Sequence, residues 1–496
     1  MVSSQDDSPH QRGRTGNNRG DAMRRLLRIW FGLREPVDRA TYAASGLGLA
    51  VLKYAVEAVA VGVSTGHMLT PLEFVSPSIY ARQVFLEPAP EWLGLFLAIW
   101  TVPFVWIALS MSMRRAHAAG QSPWLGSLVL LVPFNVIFMA LLSLLPDVPA
   151  TPAAPSDPGT VDRPASPLDS AGQGMVAVLA ALAVGGVAVA SGIYVFESYG
   201  GVLFLVTPVV MGMVSGYVFN RPVSRSTAAT LQIGLLVTLL AGGVLLAMAL
   251  EGLICLIMAA PIVMPTALAG ALLGKWVADC TSVVMRQLVG LVLAIPFLAG
   301  AETLTRQIPE RVVLTTVEVD APPEVVWKRI VEFPDLPAPT DWFFRCGIAC
   351  PMRARIEGSG VGAVRHCEFS TGDFVEPITV WEEPVRLAFD VVDQPDPMVE
   401  LTPWRHVHPP HLEDRSLESQ RGEFRLVDLG GGRTRLEGRT WYTFDMHPQI
   451  YWTLWSDFSI HRIHRRVLDH IRTLAEADAA GAGGRIETAG VGASNP

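Results

Sequence analysis

The feature that most constrains this chain is a change of solvent preference near residue 302. Upstream, apolar runs long enough to cross a bilayer follow one another; downstream, the residues alternate, turn and stop as a water-soluble domain does. Such a chain must build one core in lipid and another in water, and its function has to account for the fusion. At 496 residues it exceeds what one core holds, and only 17% of it is charged. The net charge of −8 excludes a broadly basic nucleic-acid binder.

A helix needs about 20 apolar residues to cross the bilayer core. Eight candidate spans satisfy this, at 41–63, 91–112, 124–145, 174–196, 200–219, 229–250, 252–273 and 283–301. Pro133-Phe134-Asn135 predicts a kink in the third. Glu251-Gly252, with Pro261 and Pro265 beyond, divides the long run from 229 to 273 into two spans, or into one tilted helix and a re-entrant segment. Eight arginines from Arg12 to Arg39 precede the first span and predict a cytoplasmic N-terminus. An even count then returns the C-terminal part to the cytoplasm, although Arg221, Arg225, Lys275 and Arg286 would face outward. The expectation is a multi-pass protein of a bacterial inner membrane.

Composition divides the chain further. Residues 1–30 read as a disordered basic tail, 31–146 as a three-span block and 147–173 as a Pro/Ala-rich linker. Residues 174–301 read as a block of about five spans, 308–476 as the soluble domain and 477–496 as a second disordered tail. Five cysteines form no even disulfide framework, which favours a reducing compartment.

The soluble part has a definite order. A strand over 312–319 runs into Ala321-Pro322-Pro323-Glu324, which opens a helix through Phe333 with proline in its first turn. A short aromatic segment, Asp341-Trp342-Phe343-Phe344, follows a Pro-rich loop. Strands are predicted near 352–357, 363–369, 374–382, 386–392, 420–428 and 433–444, with Gly430-Gly431-Gly432 as a hairpin turn. A long helix covers Pro448 to about Glu476.

This order, with Val317-Glu318-Val319-Asp320-Ala321-Pro322-Pro323-Glu324-Val325-Val326-Trp327 at its start, resembles the SRPBCC superfamily, the START-like or helix-grip fold that includes polyketide cyclases. The resemblance covers residues 311 to 476 and implies an α+β domain: a curved antiparallel sheet gripping the C-terminal helix around an apolar cavity. The fold class expected for the whole chain is thus a polytopic α-helical membrane region followed by a helix-grip domain. A second motif, Arg114-Arg115-Ala116-His117-Ala118-Ala119-Gly120-Gln121-Ser122-Pro123-Trp124, resembles a loop of the bacterial membrane family called domain of unknown function 805, over about residues 30 to 146. Ala118 stands where that family carries an aspartate, and the arginines also read as a simple topology anchor.

Candidate ligand-binding residues follow from the strand periods and the terminal helix. They are His366, Cys367, Phe369, Glu376, Phe389, His408, His411, Thr440, Tyr442, Trp455 and Phe458. The alternative is an ordinary filled core. His406, His408 and His411 have spacing open to zinc, with Cys367 or Glu413; the prolines between them fit a loop gating the cavity mouth, and no metal is expected. His461 and His464, with Arg462, Arg465 and Arg466, read as a solvated helix face or a surface for anionic headgroups.

In the membrane part, Lys53 and Glu57 stand four apart and suit an intrahelical pair. Glu251 is either an intramembrane functional carboxylate or part of a tight turn between spans. No phosphate loop or nucleophile elbow is present, and no cofactor is expected.

The expected function is binding of a hydrophobic small molecule close to the bilayer, with membrane lipids as partners. The rival is a cyclase or hydrolase using His366, Glu376, His408, His411 or Tyr442 as acid-base groups. A third reading is transport or sensing centred on Lys53, Glu57 and Glu251.

Overall fold

The computed structural model describes residues 18–76, 89–130, 135–148, 167–280, 285–403, 409–413 and 416–490. The expectations for Trp404, His406, His408 and Asp414, the kink at Pro133-Phe134, residues 1–17 and the linker from 149 to 166 lie outside the described residues. The chain gathers into two units, Met1–Ala180 with Ser215–Met248, and Ala181–Val214 with Ala249–Pro496.

The helices up to the soluble domain are α1 (Asn18–Phe31), α2 (Arg39–Thr65), α3 (Pro71–Val75), α4 (Glu91–Ala118), α5 (Asn135–Leu144), α6 (Pro167–Val189), α7 (Thr207–Asn220), α8 (Thr227–Ala247), α9 (Leu253–Cys280) and α10 (Met285–Thr305). Among the described residues, six helical stretches are long and apolar enough to cross a bilayer: Arg39–Thr65, Trp92–Ala118, Leu168–Val195, Val202–Asn220, Thr227–Ala247 and Leu253–Cys280. The number differs from the eight expected. In the stretch 124–145 the described residues form a 3-10 segment, Pro123–Leu130, and the 10-residue helix α5. Hydropathy registers its apolar residues but not their packing. A Cβ on Gly126 would stand 2.3 Å from the Met113 amide nitrogen, so this segment lies directly against the α4 backbone. The eighth expected span holds a shorter apolar helix, Val292–Thr305.

In the first unit, α2 begins on Asp38, whose carboxylate accepts from the Thr41 amide at 2.9 Å, and ends on Gly66 in the left-handed region. Arg114 and Arg115, read as a topology anchor, are both buried. Arg115 donates to the Leu142 carbonyl at 3.0 Å, to the Leu145 carbonyl and to Asp147. Arg114 donates to the carbonyls of Ser110, Glu35 and Ile29. The pair closes the open carbonyls of neighbouring segments.

The soluble domain lies in the second unit. Its seven strands are β1 (Arg311–Val319), β2 (Pro351–Glu357), β3 (Val364–Phe369), β4 (Gly372–Glu382), β5 (Arg386–Asp390), β6 (Leu417–Gly430) and β7 (Arg433–Phe444). Its helices are α11 (Pro323–Val331), α12 (Trp342–Arg345), α13 (Pro410–Glu413) and α14 (Gln449–Gly490). All neighbouring strands are antiparallel, in the order β1-β7-β6-β5-β4-β3-β2, with register shifts at Ile378/Val380 and Ser419/Arg421 that help the sheet curl. The long helix packs on this curled sheet through Val467, Leu468 and Ile471. Gly430, Gly431 and Gly432 all have positive φ and make the β6–β7 turn, which a residue with a Cβ would strain.

The terminal helix runs past Glu476, through residues expected to be disordered. In its added turns Asp478 is held by Arg329 of α11 at 2.6 Å.

Candidate ligand groove and buried polar clusters

Period-two burial decides what reaches the sheet interior. On β3 the inward residues are Arg365, Cys367 and Phe369, so His366 stands on the opposite face. Cys367, Phe369 and Phe389 join Trp327, Phe333, Phe424, Leu436, Leu468 and Ile471 in one packed core between sheet and α14. Burial pushes the Cys367 thiol up to about 12, leaving it protonated. Glu376 is buried opposite Arg365 in the strand register and accepts from its guanidinium. That guanidinium lies 5.4 to 5.7 Å from the rings of Phe333, Phe389 and Phe424. The positions read as cavity lining thus build a filled core around a buried ion pair.

Arg365 was missed by sequence reasoning, yet the alternation that turns Cys367 and Phe369 inward turns Arg365 inward too.

Towards the N-terminal end of α14, polar groups replace this packing. Thr315 of β1 is hydrogen-bonded to His461 Nδ1 at 2.8 Å and to His464 Nδ1 at 3.0 Å, while Thr440 of β7 meets His464 Nε2 at 2.8 Å. Burial, reinforced by the neighbouring His461, pulls His464 down to about 3, so it stays neutral. His464 therefore ties helix to sheet, contrary to the solvated face expected for it. Tyr442 is fully buried and donates to Asp457 at 2.5 Å, which also accepts from Arg311 at 2.9 Å. Trp455 packs beside it against a cluster that includes Phe204, Trp452 and Ile460.

Phe458 points elsewhere. It is 40% exposed and meets Phe343 of α12 edge-on, with the Arg462 guanidinium 4.9 Å from its ring. These groups border an open groove of 760 Å³ between the 336–344 segment and α14. Leu336, Phe344 and Phe458 supply apolar wall; His461, Arg462, Arg465 and Arg466 supply a basic rim, and Asp341 is paired to Arg462. Phe344 also packs in a cluster with Ile254 of α9, so the groove lies near the start of a membrane-length helix.

That neighbourhood is built by two carboxylates reaching from distant sequence to helix starts. Glu400 accepts from the amides of Ile254 and Cys255 at 3.0 and 3.1 Å. Glu302 accepts from Gly201 and Val202 at 2.6 and 3.0 Å. Both satisfy amide groups that a helix leaves open at its N-terminus. A Cβ on Gly252 would stand 2.1 Å from Glu400, so only glycine admits this approach.

Beside this cap lies His411, the one histidine of the histidine-rich loop among the described residues. It is buried, with its ring 4.8 Å from that of Tyr199 and Nε2 3.2 Å from Cys255 Sγ. Glu251 belongs to the turn before α9 and accepts from the Tyr199 hydroxyl at 3.1 Å. Burial pushes the Glu251 carboxyl up to about 8 and pulls His411 down to about 4. In the first unit, Lys53 and Glu57 form the expected intrahelical pair, with Phe74 5.1 Å from the ammonium.

Among the described residues, three acid-base groups of the enzymatic reading are engaged or turned away from one another. Glu376 is engaged by Arg365, Tyr442 by Asp457 and Ser456, and His366 faces away from the interior.

Among the described residues, these features define six membrane-length apolar helices and a seven-stranded antiparallel sheet packed on a long C-terminal helix. No protein family matches the chain by sequence, so the likeness to domain of unknown function 805 is unsupported, and no curated protein matches. Among solved structures it is similar to norcoclaurine synthase from Thalictrum flavum, at 13% identity and TM-score 0.23 over 34% of this chain and 96% of that one. A protein from Nitrosospira multiformis has 18% identity and TM-score 0.22, over 33% and 94% of the two chains. KanY has 12% identity and TM-score 0.21, over 34% and 99%. The fold description rests on the strand order and register above.

Proposed function

We propose that this is a multi-pass protein of a bacterial inner membrane whose helix-grip domain binds an amphipathic small molecule or lipid supplied by the bilayer. The observation that carries the reading is the groove between residues 336–344 and α14. Its volume suits a small-molecule ligand. Its apolar wall suits a hydrocarbon or ring system, and its arginines suit an anionic or polar head. Closeness to the start of α9 shortens the path from lipid to groove, and fusion to membrane helices raises the local concentration of a poorly soluble ligand.

The test is native mass spectrometry of the full chain in detergent, with extraction of bound species. A co-purifying apolar or amphipathic molecule of defined mass is expected, and Phe458→Asp combined with Arg465→Glu should deplete it. A wild-type chain that carries no such molecule and takes none up from added lipid extract overturns the reading.

A further inference from the structure

We propose that Glu251, Cys255 and His411 form a transition-metal site, best suited to zinc, at the junction of α9 with the soluble domain. One carboxylate oxygen, the thiol sulfur and one ring nitrogen all lie within 4.8 Å of one another. Bonds of about 2.0 to 2.3 Å to a central zinc would set tetrahedral edges of roughly 3.3 to 3.8 Å, so a small contraction closes the site. His411 Nδ1 lies 3.7 Å from Glu251 Oε1, an edge of that size, while its other nitrogen, Nε2, meets Cys255 Sγ at 3.2 Å; only one of the two nitrogens can hold the ion.

A second observation points to a ligand. Glu251 and His411 are only 8% and 6% exposed. Glu251 Oε2 and His411 Nδ1 are nevertheless buried without a hydrogen-bond partner among the described residues. Leaving such atoms unpaired is unfavourable, and a cation coordinated by the carboxylate and the imidazole would remove that penalty. The donors are one thiolate, one imidazole and one carboxylate, a mixed set that fits zinc better than calcium or magnesium, which prefer oxygen alone. Tyr199 is a positioning residue: its hydroxyl donates to Glu251 Oε1 and orients the carboxylate.

Three protein ligands leave a fourth position for water or another small donor. Binding would convert the Cys255 thiol to a thiolate with release of its proton to solvent, and no oxidant or reductant is required. The ligands come from a turn, the first helical turn after it and a loop more than 150 residues later. The ion would therefore fasten that loop to the helix start.

The experiment uses the full chain purified in detergent. Elemental analysis after dialysis against metal-free buffer is expected to find one zinc per chain. Exchange into cobalt is expected to give visible bands of a tetrahedral ion and a near-ultraviolet thiolate-to-cobalt band. Cys255→Ser should abolish the thiolate band, and His411→Ala should lower retained metal to below a tenth of the wild-type level. The wild-type cobalt spectrum tests the site even where a variant does not fold. A folded wild-type chain that takes up neither metal overturns the proposal, as does bound cobalt with no thiolate band, or metal fully retained in both variants.

Discussion

At the scale of single residues, Arg365 and Glu376 carry the largest electrostatic commitment in the sheet domain. Both are buried, and each is the partner that offsets the other's loss of water. Glu376→Gln should cost about 3 to 5 kcal/mol, because it strands a guanidinium among three aromatic rings. Replacing the pair together, Arg365→Met with Glu376→Leu, should recover most of that loss. Thermal unfolding of the full chain, followed by near-ultraviolet circular dichroism, compares the three. A single variant as stable as wild type would show that water reaches the pair. Glu376 was visible from the sequence as an acid on a half-apolar strand. Its partner was legible only by carrying the β3 alternation one step back from Cys367. The contacts of His411 were not legible at all, because no local pattern links it to Cys255, 156 residues away.

At the scale of elements, the strands were readable because inward apolar residues recur every second position and glycines mark the turns. Within the span expected at 124–145, Pro123 and the Gly126 approach to α4 shape the backbone of the described first part, which hydropathy does not register. The join of α14 to β1 and β7 through His464 was misassigned as solvent because His464 is polar, and Thr315 and Thr440 offer no signal of their own. A pH dependence follows from that join. His464 lies below the ordinary 6.5 in the folded chain, at about 3, so the unfolded chain binds more protons between those values. The stabilising contribution is complete above pH 6.5 and is lost as the pH falls towards 3. Thermal midpoints of wild type and His464→Asn should converge on acidification across this window. A difference that stays constant with pH would mean the imidazole is already solvated.

At the scale of the whole molecule, the arginines before the first span and an even number of crossings motivate a topology with both ends in the cytoplasm. Reporter fusions at residue 20 and after residue 480 should both show low alkaline-phosphatase activity. High activity at the second fusion would move the soluble domain to the opposite face. Within the second unit, α9 starts beside Glu400, and Glu302 near the end of α10 returns to the amides of Gly201 and Val202. The two helices therefore leave from and come back to the neighbourhood of the sheet domain.

The Glu400 cap also sets an order in time. A ribosome releases Ile254 and Cys255 some 145 residues before it makes the carboxylate that will satisfy their amides. During that interval the start of α9 has its open donors supplied by water or lipid headgroups. Glu400 follows β5, so five of the seven strands are made before the carboxylate that reaches the start of α9. The start of α9 and the carboxylate that caps it are thus separated in the birth of one chain by most of the sequence between them.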